Sequence, residues 1–126
     1  MAKVSIPPDC GNAPKKNLLK DLASAPGNGV LKFVESLLSD DLTWEIVGQS
    51  SIAGKENVLK GLPQHKLWKA KELVVDTIIT HGREASVNGQ IVARDNSSYS
   101  FCDVFRFKSA GSSAIQSIKT FMIKHN

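Results

Sequence analysis

Hydrophobic residues recur at helical spacing in the first part of the chain and again near its middle. Leucines follow this spacing over residues 13–25 and 29–39, so the sequence predicts two helices there. A third helix is predicted after Gly54, and Pro63 ends or kinks it because proline lacks a backbone donor. Each helix would present one apolar face to a core.

After the second helix, and through the whole second half of the chain, the pattern has a period of two that is typical of strands. The first such strand carries Leu42, Trp44 and Ile46 on one face. The remaining strands are predicted over residues 71–81, 84–93, 98–108 and 114–124. Helices followed by a series of antiparallel strands indicate an α+β domain in which the helices cover one face of the sheet.

The chain of 126 residues has the length of a single domain. Pro7, Pro8 and Gly11 interrupt any regular pattern, so we expect a flexible tail over residues 1–12 and one domain over residues 13–126. No apolar run approaches the length of a membrane span, and the first residues lack the apolar core of an export signal. With only two cysteines as well, we expect a cytoplasmic protein without disulfides and without a membrane partner.

The net charge of +4 raises the question of a nucleic-acid partner. The 16 basic residues are scattered, however, and arginines are not interleaved with aromatic rings, so a solvated lysine-rich surface is the better explanation and no nucleic acid is expected. The histidines and cysteines lack the spacing of metal ligands. Gly48–Lys55 resembles a phosphate-binding loop but carries Glu56 where such a loop needs Ser or Thr. No metal and no cofactor are therefore expected.

One predicted strand combines aromatic residues with a single carboxyl group. Alternation places Asp103 on the same face as four aromatic residues, Tyr99, Phe101, Phe105 and Phe107. If that face looks into the core, Asp103 must be paired, hydrated or protonated with a raised pKa, because an isolated buried carboxylate is costly. Two interpretations stay open. Asp103 is either a structural carboxylate bound to Arg83, Arg106 or backbone donors, or an acid/base group in an aromatic pocket.

Four segments resemble motifs of the nuclear transport factor 2-like superfamily, which includes ketosteroid isomerase and the SnoaL-like polyketide cyclases. The segments are Asp40–Glu45, Gly48–Glu56, Asp103–Phe107 and Ile115–Met122. The chain looks most like the small SnoaL-like proteins of bacteria. This resemblance implies a cone, in which a strongly curved antiparallel or mixed sheet wraps around the N-terminal helices and leaves an apolar pocket on its concave side.

The resemblance places Asp103 where ketosteroid isomerases hold a protonated aspartic acid that donates to the substrate oxyanion. It places Ile46 at the position of their general base and about Leu22 at the position of their tyrosine. Two of the three catalytic groups are therefore absent, which argues against ketosteroid isomerase activity. Tyr99 is a candidate donor on the face of Asp103, and His81 is a candidate base near neutral pH, although it could instead be a structural residue at a strand end.

We therefore expect a pocket for a small hydrophobic molecule that carries a carbonyl or hydroxyl group. The candidate catalytic residues are Asp103, Tyr99 and His81. The expected lining comprises Trp44, Ile46, Phe101, Phe105, Ile118, Thr120 and Met122. One hypothesis is a proton-transfer enzyme of the isomerase, cyclase or lyase type. The alternative is a non-catalytic module that binds a hydrophobic ligand or dimerises.

The pattern on the opposite face of the same strands indicates that a second copy of the protein is a partner. Cys102, Val104, Phe121 and Ile123 would form an apolar patch there, larger than monomers usually expose. The resemblance implies pairing through this outer face of the sheet. We therefore expect a two-fold homodimer.

Overall fold

A computed structural model describes residues 3–5, 18–19, 21–22 and 31–125. The strands are β1 (Lys3–Ser5), β2 (Leu38–Ile46), β3 (Ser50–Ala53), β4 (Glu72–His81), β5 (Glu84–Val92), β6 (Ser98–Phe107) and β7 (Ile115–Lys124). The helices are α1 (Leu31–Leu37), α2 (Lys55–Gly61) and α3 (Lys66–Lys69), with a 3₁₀ turn at Leu62–Gln64 between α2 and α3. Leu18, Leu19, Asp21 and Leu22 are also helical.

The seven strands form one sheet in the order β1-β4-β5-β6-β7-β2-β3. β1 pairs with β4 in parallel, and β2 pairs with β7 in parallel. The other neighbouring strands pair antiparallel. The predicted α+β class with a curved mixed sheet is thereby confirmed.

The core lies on the concave side of this sheet, where the period of two brings the apolar residues together. Leu42, Trp44 and Ile46 of β2 are buried, and so are the four aromatic residues of β6. Leu19 and Val34 belong to the same core cluster from the helical side. The strands of the sheet therefore carry a buried face and a second face that points away from the helices.

β4 and β5 approach each other at Gly89 too closely to admit a side chain. A Cβ atom at this position would lie 1.9 Å from the carbonyl oxygen of Val74. The pairing of the two strands shifts between Val75 and Thr77, and such an irregularity bends a strand and increases its twist. Gly89 thus permits the close approach at the bent part of the sheet.

The first described residues differ from the expected tail, because residues 3–5 form β1. The backbone N–H of Lys3 donates to the carbonyl oxygen of Lys71 at 3.0 Å, and its ammonium group lies 3.8 Å from the carboxylate of Glu72. A strand of three residues is too short for alternation to reveal it. The other residues of the expected tail and most of the helix predicted over residues 13–25 lie outside the described residues, so the domain boundary stays a prediction.

β2 begins at Leu38, whereas alternation predicts a start at Leu42. Alternation does not extend to this beginning, because Leu38 and Ser39 are both buried whereas Asp40 and Asp41 are both exposed. The pairing of β2 with β7 also shifts before Thr43. The sequence pattern also missed β3 and α3, which have only four residues each. Within the described residues, no helix has the length and apolar character needed to cross a membrane.

Candidate functional site

A cavity of about 100 Å³ lies between the concave face of the sheet and the helices. Most of its wall is apolar, formed by Leu19, Leu22, Val34, Leu38, Trp44, Leu62, Trp68, Leu73, Val87, Phe101, Phe105 and Ile118. Its other lining residues are His65, Asp103 and Thr120. An apolar cavity with a few convergent polar groups is the usual form of a small-molecule site.

Asp103 reaches the cavity from the middle of β6. The strand register sets it opposite Val87 of β5 and Thr120 of β7, and all three residues line the cavity. The hydroxyl of Thr120 donates to Oδ1 of Asp103 at 2.7 Å. Asp103 therefore lies on the concave face, as the alternation predicts.

The burial of Asp103 changes its acidity. Desolvation raises the pKa of this carboxyl group from 3.8 to about 6, and the hydrogen bond from Thr120 opposes part of that rise. Desolvation outweighs the hydrogen bond because removal from water penalises the charged form and a single neutral donor compensates it only in part. A carboxyl group with this pKa changes its protonation state close to neutral pH.

The structural interpretation of Asp103 as the partner of an arginine is wrong. Arg83 donates instead to the backbone oxygen of Phe107 and to the side chain of Gln116. Arg106 lies on the outer face and pairs with Glu84 at 3.4 Å. Among the described residues, Thr120 is the hydrogen-bond partner of the Asp103 carboxyl group.

His65 brings a second titratable group into the cavity, and the sequence analysis did not select it. Its ring packs edge-on against the ring of Trp44, with 5.1 Å between the ring centroids. Burial lowers its pKa, and the positive charge of Lys66 lowers it further, so the neutral imidazole is favoured. His65 lies between the 3₁₀ turn and α3, where no long periodic pattern marks which side chains point inward. The only sequence signal was its place between two short segments that carry apolar lining residues, Leu62 and Trp68.

Tyr99, a candidate catalytic donor, does not line the cavity. Its ring is buried in the core, but its hydroxyl accepts a hydrogen bond from the ammonium group of Lys66 at 2.6 Å. This bond is also the main reason why the pKa of Tyr99 is lowered. Tyr99 shares the face of Asp103, yet four residues of strand correspond to about 13 Å. Alternation therefore placed Tyr99 on the correct face of the strand, but too far along it from Asp103 to line the cavity.

His81, the candidate base, is also absent from the cavity. It is the last residue of β4, is exposed, and is paired in register with Glu84 across the β4–β5 turn. The residue of β4 that lines the cavity is Leu73, near the opposite end of the strand. Within the described residues, the titratable group that lines the cavity together with Asp103 is therefore His65 rather than His81.

Five of the residues expected to line a ligand pocket line this cavity: Trp44, Phe101, Phe105, Ile118 and Thr120. Ile46 is buried and Met122 packs partly buried against the core, but neither lines the cavity. Leu22, the approximate position of the isomerase tyrosine, does line it. Among the described residues, no group of three potential metal-binding side chains is close enough together to hold an ion.

Comparisons with known proteins identify the fold through structures and not through sequence. No family model matches the sequence, and no curated protein matches it. A nuclear transport factor 2-like protein of unknown function from Cytophaga hutchinsonii matches with a TM-score of 0.64 and 23% identity, over 85% of this chain and 97% of that chain.

Two further solved structures are similar. A ketosteroid isomerase-like protein from Kribbella flavida has a TM-score of 0.72 at 13% identity, over 87% of this chain and 78% of that chain. An LEH-like epoxide hydrolase from M. tuberculosis has a TM-score of 0.67 at 19% identity, over 85% of this chain and 80% of that chain. The chain therefore has the nuclear transport factor 2-like fold that its sequence motifs indicate.

Proposed function

We propose that the cavity binds a small, mostly apolar molecule with one carbonyl or hydroxyl group, and that Asp103 exchanges a proton with it. The observation that supports this most is a carboxyl group with a pKa of about 6 in an otherwise apolar wall. Perturbed acidity combined with a cavity is characteristic of acid/base sites. Both protonation states are accessible to Asp103 near pH 7.

The acidity of Asp103 suits it to act first as a base. With a pKa of about 6, about ten carboxylates are present for each protonated group at pH 7. A base with a pKa close to the working pH accepts a proton readily and can return it to another atom of the same ligand. Burial lowers the pKa of His65 and so favours its neutral imidazole, which carries one donor and one acceptor nitrogen at the cavity wall.

The size and charge of the cavity restrict the ligand. An enclosed engineered cavity of about 150 Å³ holds benzene. The cavity here has about 100 Å³ but is partly open, so it favours a molecule no larger than a single ring. Its described lining contains no arginine and no lysine that could grip a phosphate or carboxylate. Small neutral ketones, enones and alcohols fit these limits better than nucleotides or sugar phosphates.

A second candidate function is binding without catalysis. Leu22 lines the cavity where the resemblance to ketosteroid isomerases calls for a tyrosine, and Ile46 occupies the position of their base. Such a chain could hold a hydrophobic ligand against Asp103 and leave it unchanged. The two functions differ in whether protons move between the ligand and the protein.

Proton exchange on a simple ketone distinguishes the two functions. The protein is incubated with cyclohexanone in D₂O, and NMR follows the incorporation of deuterium beside the carbonyl group. We expect exchange faster than in buffer, and a loss of about 10²–10⁴-fold in the Asp103→Asn variant. Asp76→Asn is a matched control, since this aspartate is exposed on β4.

The opposite results are equally clear. Exchange that is equally fast in wild type and Asp103→Asn would contradict the proton-transfer proposal. Stabilisation of the protein by small apolar ligands without any exchange would support the binding module. A thermal-shift response to nucleotides or sugar phosphates would contradict the proposed ligand class.

A further inference from the structure

Two hydrogen bonds that share the buried hydroxyl of Thr120 connect β2, β7 and β6 at the wall of the cavity. The indole N–H of Trp44 donates to the hydroxyl oxygen of Thr120 at 2.8 Å, and that hydroxyl donates to Oδ1 of Asp103 at 2.7 Å. The side chains of Trp44 and Thr120 are almost fully buried, at 3% and 1% exposure. The hydroxyl of Thr120, which takes part in both bonds, is therefore shielded from water.

The direction in which these two hydrogen bonds donate follows from the chemistry of the Trp44 indole. An indole N–H can only donate, so the oxygen of Thr120 must accept from Trp44. If Thr120 also accepted a proton from Asp103, its own hydroxyl hydrogen would be buried without an acceptor among the described residues, which is costly. The hydroxyl of Thr120 therefore donates to Asp103, and Oδ1 remains an acceptor in both protonation states.

The other carboxyl oxygen of Asp103 is in a different position. Among the described residues Oδ2 has no hydrogen-bond partner, and the same residues contain no fully buried side-chain oxygen or nitrogen that lacks one. Oδ2 must therefore keep access to open space. Since Asp103 lines the cavity, that space is the cavity itself.

We infer that Trp44 and Thr120 are positioning residues that make Oδ2 of Asp103 the oxygen that gains and loses the proton. When Asp103 is neutral, its O–H group lies on Oδ2 and can donate into the cavity. When Asp103 is ionised, Oδ2 accepts from the ligand while Oδ1 stays bound to Thr120. The indole of Trp44 thus determines which oxygen of Asp103 carries the proton, although it does not contact that proton.

The arrangement depends on the parallel pairing of β2 with β7. Thr120 lies opposite Asp103 in the β6–β7 register, and Trp44 lies opposite Ile118, two residues before Thr120. A shift of one residue in either register would turn Trp44, Thr120 or Asp103 to the outer face of the sheet. The two hydrogen bonds can therefore form only when β2, β7 and β6 are paired in this register.

The pKa of Asp103 in the ligand-free protein tests this inference independently of any reaction. It is read from the carboxyl ¹³C shift as a function of pH. Among the residues that line the cavity, His65 is the other titratable group, and on the outer face the neighbouring thiol of Cys102 is also followed. Because no ligand is present, failure of the proton-transfer proposal would leave this result unchanged.

Thr120→Val removes the donor while it keeps the shape of the side chain. We expect the pKa of Asp103 to rise by about one unit, because the ionised form loses its hydrogen bond. Thr120→Ser should restore the wild-type pKa, since serine supplies the same hydroxyl. Trp44→Phe should also raise the pKa, but by less, because Thr120 can then reverse its bond. Trp68→Phe is the control, because it also removes an indole from the cavity lining but breaks neither of these two hydrogen bonds.

Vibrational spectra of the protonated carboxyl group identify the oxygen that carries the proton. In wild type we expect one C=O band, typical of a carbonyl oxygen that accepts a hydrogen bond, and in Trp44→Phe a second band from the reversed arrangement. An unchanged pKa in Thr120→Val, or a raised pKa that Thr120→Ser does not restore, would overturn the inference. If Thr120→Val fails to fold, the Trp44→Phe spectrum decides, and a single unchanged band would reject the inference.

Discussion

The two faces of β6 and β7 differ sharply although only one residue separates them along each strand. On the concave face Asp103 lies opposite Thr120 and lines the cavity, and desolvation raises its pKa. On the outer face Cys102 lies opposite Phe121, whose side chain is 41% exposed, and Ile123 nearby is 70% exposed. The same backbone therefore carries a low-dielectric site on one side and an unpaired apolar surface on the other.

Cys102 shows how the two faces influence each other. Partial burial raises the pKa of its thiol, and the negative charge of Asp103 raises it further. A thiol with a raised pKa is seldom a thiolate near neutral pH and is a poor nucleophile. The comparison of the two faces therefore supports the proposal that proton exchange takes place on the concave side.

The largest expected effect compares one phenylalanine from each face. Phe101→Ala empties part of the buried face and should lower the free energy of unfolding by about 3–5 kcal/mol. Phe121→Ala should lower it by less than about 1 kcal/mol, because much of that ring remains in water. Urea unfolding in dilute protein measures both values. Equal losses would contradict the assignment of one buried and one exposed face.

The second effect is the pH dependence of stability from Asp103. Because its pKa is higher in the folded state, the folded protein binds more protons than the unfolded chain between about pH 4 and 6, and stability falls as the pH rises through this interval. A rise of about two units corresponds to about 3 kcal/mol. Asp103→Asn should remove this decline and be the more stable protein at pH 7.

The contribution of His65 to stability changes with pH in the opposite direction to that of Asp103. Its pKa is lowered in the folded state, so its contribution to stability is lost as the pH falls below about 6.5. Wild type shows the sum of the two contributions, and the difference between wild type and Asp103→Asn isolates that of Asp103. Parallel stability curves for these two proteins would show that the carboxyl group is not desolvated.

The smallest effect on folding concerns the outer face, through which we propose that two copies of the chain pair. The proposal is based on the exposed Phe121, Ile123 and Ile79 on one side of the sheet. Phe121→Asp combined with Ile123→Asp should halve the mass measured by light scattering at micromolar concentration, with little change in monomer stability. Gln64→Asp, at the exposed last residue of the 3₁₀ turn, should leave the mass unchanged. A monomeric wild type would contradict the proposal.

The sequence by itself determined which face of each long strand is buried. The period of two placed Leu42, Trp44 and Ile46 in the core and turned Asp103 toward the cavity. The motifs from Asp40 to Met122 indicated the correct fold. These features are local, since alternation reports the environment of each residue from its neighbours in the chain.

Only the tertiary structure decided how far along a face each side chain lies and what it meets there. It separated Tyr99 from the cavity, left His81 exposed at a turn, and brought in His65 from a short segment without periodicity. It also joined Trp44 to Thr120 across 76 positions of sequence. Alternation defines a face but not a level, and contacts between distant strands depend on register and sheet curvature, which arise only when the strands pair.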